Sequence, residues 1–221
     1  MAGSNNQAHL YPQTDFVESA GCILFDFRST GIDSRSTTQT GAQSHDETTT
    51  TTAPTPDLYP TKIILIHKQT KRPPYHKYLL PKGRRNIGES RAAAALREIA
   101  EETGLKCELL PVTLRSRATA DDNRRGGYTL DEVRVFRGCT DPFMMTMRRQ
   151  VGDDRREVWK VVWWFVGVVC ETQVEEGEGY LDEGCEAVGV GREEAVGRCT
   201  RGSDGEVVRR AIEVVRGGLG V

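Results

Sequence analysis

The chain has 221 residues, 37% of them apolar and 28% charged, which bounds it to one domain of about 150 residues plus tails, with a core able to stand alone. A formal charge of −2 excludes a general polyanion-binding surface and so disfavours nucleic acid as a bulk partner, although local basic patches survive that balance. The longest apolar run, Val161 to Cys170, is about half of a membrane span, and the polar start MAGSNNQAHLYPQT lacks the apolar core of a signal peptide. The six cysteines (Cys22, Cys107, Cys139, Cys170, Cys185, Cys199) show no CxxC spacing and are expected to be buried thiols in a reducing compartment. The expectation is an intracellular protein, cytoplasmic and/or nuclear, with no membrane partner and no readable oligomeric state.

In chain order, residues 1–16 are expected to form a flexible tail and Gly21 to Phe27 a short apolar strand. Residues 28–59 turn to Thr, Ser, Asp, Gln and Gly, with five threonines at Thr48 to Thr52. Such a stretch has too little apolar surface to offset its ordering entropy, so it reads as a disordered insertion within a domain spanning 17–221. Ile63 to His67 resumes as a strand, KQTKRPPYHK is a basic loop, and Tyr78 to Leu80 leads into Pro81-Lys82-Gly83. Ser90 is the expected N-cap of a helix from Arg91 to Thr103, closed by Gly104. Leu109 to Leu114 reads as a strand and Arg115 to Asp131 as a mobile polar loop. Phe143 to Arg149 and Val158 to Glu171 form a hairpin pattern turning at Gly152-Asp153-Asp154. Val174 to Gly184 is an acidic loop, and helices are expected at Arg192 to Arg198 and Ser203 to Arg216, the latter with Val207, Val208, Ala211, Ile212 and Val215 at helical spacing.

The stretch GRRNIGESRAAAALREIAEETGL, Gly83 to Leu105, carries the chemistry. At 3.6 residues per turn, Glu98, Glu101 and Glu102 fall within roughly 100° of one another on one helix face. Like charges at that spacing cost a helix a few tenths of a kcal/mol, a cost that a hard divalent cation taking carboxylate oxygens reverses. The cluster reads as a metal site. Lys82, Arg84 and Arg85 flank Gly83 and are candidates to meet phosphates, which guanidinium groups grip in bidentate fashion; a solvated rim is the bland alternative. Arg124 and Arg125 form a second basic candidate. Trp163 and Trp164 point to opposite faces of their strand, one for the core and one free to stack on a base or sugar. His67 and His76 read as bystanders.

The same stretch resembles the Nudix signature: glycine, five residues, Glu, seven residues, then Arg-Glu-apolar-any-Glu-Glu-any-Gly-apolar. It is met without departure at Gly83, Glu89, Arg97, Glu98, Ile99, Glu101, Glu102, Gly104 and Leu105. Around it, SAGCILFDF, YLLPKGRRNIGES and VWKVVWWFV resemble strands of fungal Nudix proteins. The resemblance implies an α/β/α sandwich on a mixed sheet. It also implies hydrolysis of a phosphoanhydride in a small-molecule diphosphate, with Mg²⁺, or Mn²⁺, as cofactor.

Carried over residue by residue, Glu98, Glu101 and Glu102 are the catalytic metal ligands, joined by the Gly83 carbonyl. Glu98 is also the candidate general base, with a carboxylate among Glu171 to Glu178 as the alternative. Glu89, Arg97 and Gly104 are structural in the motif, Arg97 pairing with Glu89 or another motif glutamate. The LPKG lead-in followed by GE resembles diadenosine polyphosphate and diphosphoinositol polyphosphate hydrolases. The long Arg-bearing loop after the helix, and the lack of a tyrosine or proline at the expected downstream spacing, depart from the dinucleoside and ADP-ribose patterns. A non-catalytic nucleotide-sensing module is the runner-up, and mRNA decapping is a third reading that the charge balance does not support.

Overall fold

A computed structural model describes residues 11–27, 62–118, 132–151, 156–171 and 184–218. A 3-10 turn at Gln13–Asp15 leads into β1 (Phe16–Asp26), followed by β2 (Lys62–Gln69), β3 (His76–Leu79), β4 (Lys82–Arg84) and α1 (Arg91–Thr103). Then come β5 (Lys106–Leu109), β6 (Val112–Ser116), β7 (Arg134–Cys139), β8 (Met144–Val151) and β9 (Glu157–Glu171). β10 (Cys185–Gly191), α2 (Arg192–Arg198) and α3 (Gly202–Gly218) complete the chain.

Eight strands form one mixed sheet in the order β10-β2-β1-β9-β5, with β3 on β2, β4 on β1 and β8 on β9. β1 and β9 run parallel, from Phe16 opposite Trp159 to Phe25 opposite Val168, and the other pairings of this sheet are antiparallel. Strand alternation splits the apolar residues of these central strands between two cores. Ala20, Cys22, Leu24 and Phe165 pack under Ala94, Ala95 and Ile99 of α1. Ile23, Phe25, Trp164 and Val166 pack on the other face against α2 and α3, through Ala195, Val207, Val208, Ala211, Ile212 and Val215. The result is the expected α/β/α sandwich on a mixed sheet.

Several boundaries differ from the sequence reading, each for a physical reason. β1 begins at Phe16, five residues earlier than Gly21, because its first turns find partners in β9, and Tyr11 packs edge-on against Trp159 at 5.9 Å. The single strand expected from Leu109 to Leu114 is two. Pro111 has no N–H for a ladder, so the chain leaves the main sheet after β5 and pairs β6 with β7 in a separate two-stranded sheet. Arg115 and Ser116, expected in a loop, belong to β6. The short β4, β7 and the Gly-bearing β10 had no apolar signature to announce them.

The hairpin pairs Met144 with Trp164 through Val151 with Glu157. Its Gly152-Asp153-Asp154 turn, the tail through residue 10, the insertion at 28–59, most of the loop to Asp131 (Arg124 and Arg125 included) and the acidic stretch from Val174 through residue 183 lie outside the described residues. All six cysteines are free, but only Cys22 is buried and Cys170 is exposed, which corrects the expectation of uniformly buried thiols. Desolvation pushes the Cys107 thiol up to about 12, so it stays protonated as a packing group. Among the described residues no helix is long and apolar enough to cross a membrane.

Candidate active site

The site is built where β4 meets α1. Ser90 caps the helix, its hydroxyl accepting from the Ala93 N–H at 3.1 Å, and Gly104 ends it at φ 65°, donating its N–H to the Ala100 carbonyl. Two of four consecutive alanines, Ala94 and Ala95, lie fully buried against the sheet. Their small side chains let the helix backbone approach closely, and the glutamates on its flank are thereby held at the edge of β4.

Arg97 is the hub of that edge. Its Nε and Nη2 donate to the two oxygens of Glu89 at 2.8 and 3.0 Å. Nη1 donates to Glu98 Oε1 at 2.8 Å and to Glu101 Oε2 at 2.9 Å. Nη2 also reaches the Arg84 carbonyl at 2.8 Å, tying the helix to the end of β4. Glu89 closes its own loop by accepting from the Asn86 N–H at 2.9 Å. The Arg97 hydrogen bonds, joined by that backbone contact, outweigh desolvation and hold Glu89 below its ordinary carboxyl pKa. Glu89, Arg97 and Gly104 thus occupy bracing positions.

Glu98 is 9% exposed and sits against Gly83. Desolvation by burial is the largest influence on it and, with repulsion from Glu101 and Glu89, lifts its carboxyl pKa above the usual value despite the Arg97 contact. A Cβ placed on Gly83 would fall 1.8 Å from Glu98 Oε2, so only glycine leaves this carboxylate room against the strand. Glu101 is more open, with 43% of its side chain exposed. Glu102 turns to the strand and accepts from the Lys82 N–H at 2.7 Å.

Among the described residues no three His, Cys, Asp or Glu side chains converge tightly enough to form a ready metal cage. The donor set nonetheless fits a hard divalent cation. Glu98 and Glu101 already share one cationic nitrogen, Glu102 lies on the same helix face, and the Gly83 cradle keeps other side chains away.

The three basic candidates separate. Arg85 is spent on structure: Nε donates to Glu18 Oε2 at 2.8 Å and Nη1 to the Glu89 carbonyl at 2.8 Å. Lys82 and Arg84 leave the opposite face of β4, away from α1, with Lys82 Nζ reaching the Leu80 carbonyl at 3.2 Å. Trp164 is core, its indole N–H donating to Thr146 Oγ1 at 3.0 Å. Trp163 lies on the α1 face, but the Arg91 guanidinium stacks over its ring at 4.0 Å and its N–H donates to Glu18 Oε1 at 2.8 Å. His67 and His76 lie on β2 and β3, hydrogen-bonded to each other at 3.0 Å, with His67 also bonded to Glu186 at 2.6 Å.

Two features were missed from the sequence. Glu18 collects Arg85, Arg91 and Trp163, and Lys160 stands inside the apolar run VWKVVWWFV. A lone charge within an apolar strand was the available signal for both.

The family model described as NUDIX domain matches residues 55–166. No curated protein matches the chain. Among solved structures, it is similar to a NUDIX hydrolase from Nitrosomonas europaea at 14% identity and TM-score 0.44, covering 92% of this chain and 90% of that one. It is also similar to a C. elegans Ap4A hydrolase in a binary complex, at 13% identity and TM-score 0.45, covering 91% and 98%. A NUDIX-family hydrolase from Clostridium perfringens aligns at 11% identity and TM-score 0.43, covering 90% and 98%.

Proposed function

The chain belongs to the Nudix family of hydrolases, which act on diphosphate linkages, and from that premise we propose that it is a metal-dependent pyrophosphohydrolase. Its proposed substrate is a nucleoside diphosphate-linked or similar compound, with dinucleoside polyphosphates and diphosphoinositol polyphosphates as the leading candidates. The reading rests on one observation above all: the full acidic set is present, and Glu98 is buried against a glycine that admits no side chain beside it.

In this reading Glu98, Glu101 and Glu102, with the Gly83 carbonyl, hold Mg²⁺ or Mn²⁺. When bound, the ion supplies charge neutralisation for the diphosphate and acidity for the attacking water. Glu98 would be the residue placed to accept a proton from the attacking water. Arg97 orients Glu98 and Glu101 and, through Glu89, fixes the loop from Arg84 to Ser90. Lys82 and Arg84 meet substrate phosphates, whereas Arg85 braces the loop through Glu18.

The test is phosphate release from dinucleoside polyphosphates, nucleotide sugars, ADP-ribose and diphosphoinositol phosphates, with Mg²⁺ or with EDTA. Cleavage that needs the metal and is lost in Glu98→Gln supports the reading. Binding without cleavage across the panel would return the protein to the nucleotide-sensing alternative.

A further inference from the structure

The face of β4 that turns away from the glutamates holds a second collection of charge, of opposite sign. Lys82 and Arg84 leave β4 there, Lys160 leaves β9, Arg148 stands opposite Lys160 on β8, and Arg201 precedes α3. Strand register lines them up: Arg84 lies beside Ser19 of β1, and Ser19 beside Val162, two residues from Lys160 on the same face. Lys82, Arg148 and Arg201 line a cavity of about 80 Å³ with Thr146, Ser203 and Asp204. The carboxylates facing Lys82 are Asp204 and Glu102, against five cations in the cluster. Burial first, then repulsion from Lys82, Arg148, Arg84 and Arg201, holds the Lys160 ammonium pKa below its usual value.

A second observation concerns the same place. Among the described residues, two buried side-chain atoms have no hydrogen-bond partner within the protein: Ser19 Oγ and Asp204 Oδ2. Ser19 is fully buried and Asp204 is 6% exposed. Native proteins seldom leave such atoms unpaired; Asp204 lines the cavity, and Ser19 lies beside Arg84 in the strand register. The α1 face differs, because there Arg85, Arg91 and Arg97 are consumed by Glu18, Glu89, Glu98 and Glu101.

We propose that Lys82, Arg84, Arg148, Lys160 and Arg201 form a grip for a multiply phosphorylated part of the substrate, carrying three or more phosphate groups, on the side of β4 opposite the metal-ligating glutamates. Among the described residues β4 pairs with β1 alone, so one ligand can pass its outer edge, presenting its scissile diphosphate at Glu98 and its remaining phosphates to the cations. Asp204 Oδ2, in the cavity wall, offers an acceptor suited to a ligand hydroxyl. The role in turnover rests on the hydrolase reading; the anion site itself does not.

The test is calorimetric binding in EDTA of three probes that the protein need not cleave: orthophosphate, linear tripolyphosphate and inositol hexakisphosphate. The parent is expected to bind at least one polyanion about tenfold or more tighter than orthophosphate, and Lys160→Gln/Arg148→Gln to lose about tenfold or more of that affinity. The tighter of the two polyanions tells chain from ring. Arg210→Gln, on the exposed side of α3, should match the parent. Arg201→Gln, at an exposed position, gives the same answer should the double variant melt early.

Equal polyanion affinity in parent and variants, or no preference over orthophosphate, overturns the inference. Polyanion binding through the cluster without cleavage of any diphosphate would sink the hydrolase reading and leave the grip standing. Cleavage of a multiply phosphorylated substrate with KM unchanged in the cluster variants would sink the grip alone.

Discussion

The two faces of β4 carry opposite charge and treat it in opposite ways. On the α1 side, among the described residues, one guanidinium, Arg97, satisfies three glutamates, and Glu18 takes two arginines and an indole. On the α3 side, among the described residues, five cations face Asp204 and Glu102, and Ser19 Oγ and Asp204 Oδ2 go unpaired. Internal pairing gives a rigid, preorganised edge suited to chemistry. Unbalanced charge stores repulsion that an anion relieves on binding, which suits recognition. Residues 82 to 84, three in a row, serve both because a strand sends neighbouring side chains to opposite faces.

Variants on each face should therefore fail differently. The largest effect is expected from Glu98→Gln, which keeps the shape but removes the proposed base and a proposed metal-ligating charge. Turnover should fall about 10²–10⁴-fold with KM little changed, read by phosphate release. A rise in KM with turnover unchanged would move Glu98 out of the chemistry.

Gly83→Ala comes next. Its Cβ would collide with the tip of the Glu98 side chain and push that carboxylate out of place, so a rate loss of more than about tenfold is expected with a stability loss of about 1 kcal/mol in urea unfolding. Arg97→Ala leaves Glu89, Glu98 and Glu101 without their common donor, at about 2 kcal/mol of stability. Added Mg²⁺ should recover more of the melting temperature in that variant than in the parent, because the ion then faces no guanidinium competitor.

A smaller effect is expected in the pH profile of stability. Glu89 is held below its ordinary pKa, so its contribution is present above the usual carboxylate range and is lost as pH falls through the folded value. Glu98 is shifted upward and works with the opposite sign: its contribution is present below its ordinary range and is lost as pH rises through the folded value. Urea midpoints from about pH 7 to about pH 3 should fall less steeply for Glu89→Gln than for the parent. The smallest change is Trp163→Phe, which removes one indole donor from Glu18 while two arginines remain; about 0.5–1 kcal/mol is expected by thermal melting.

The acidic face was legible in the sequence because its parts are local. Glu98, Glu101 and Glu102 sit within two helical turns, and the capping residues Ser90 and Gly104 announce where that helix starts and stops. The sandwich was legible too, since alternation along Gly21 to Phe27 and Val158 to Glu171 feeds two cores. The basic face was not, because its five cations come from four separate stretches of chain, four of the cations gathered by the sheet register and Arg201 by the start of α3. Lys82 and Arg84 were singled out by nearness to Gly83, a criterion that also selected Arg85. Strand alternation and Glu18, neither visible in a motif, separate Arg85 from the other two. The split at Pro111 follows from a missing N–H that the apolar pattern of Leu109 to Leu114 conceals.

The central claim is that the Glu98, Glu101 and Glu102 carboxylates hold a divalent ion at the edge of β4. Calorimetric titration of Mn²⁺ into the parent and into the Glu98→Gln/Glu102→Gln variant tests it most directly. Saturable uptake by the parent is expected, weakened about tenfold or more in the variant, with both folded by circular dichroism. Equal uptake by the two proteins, or none by the parent, would contradict it.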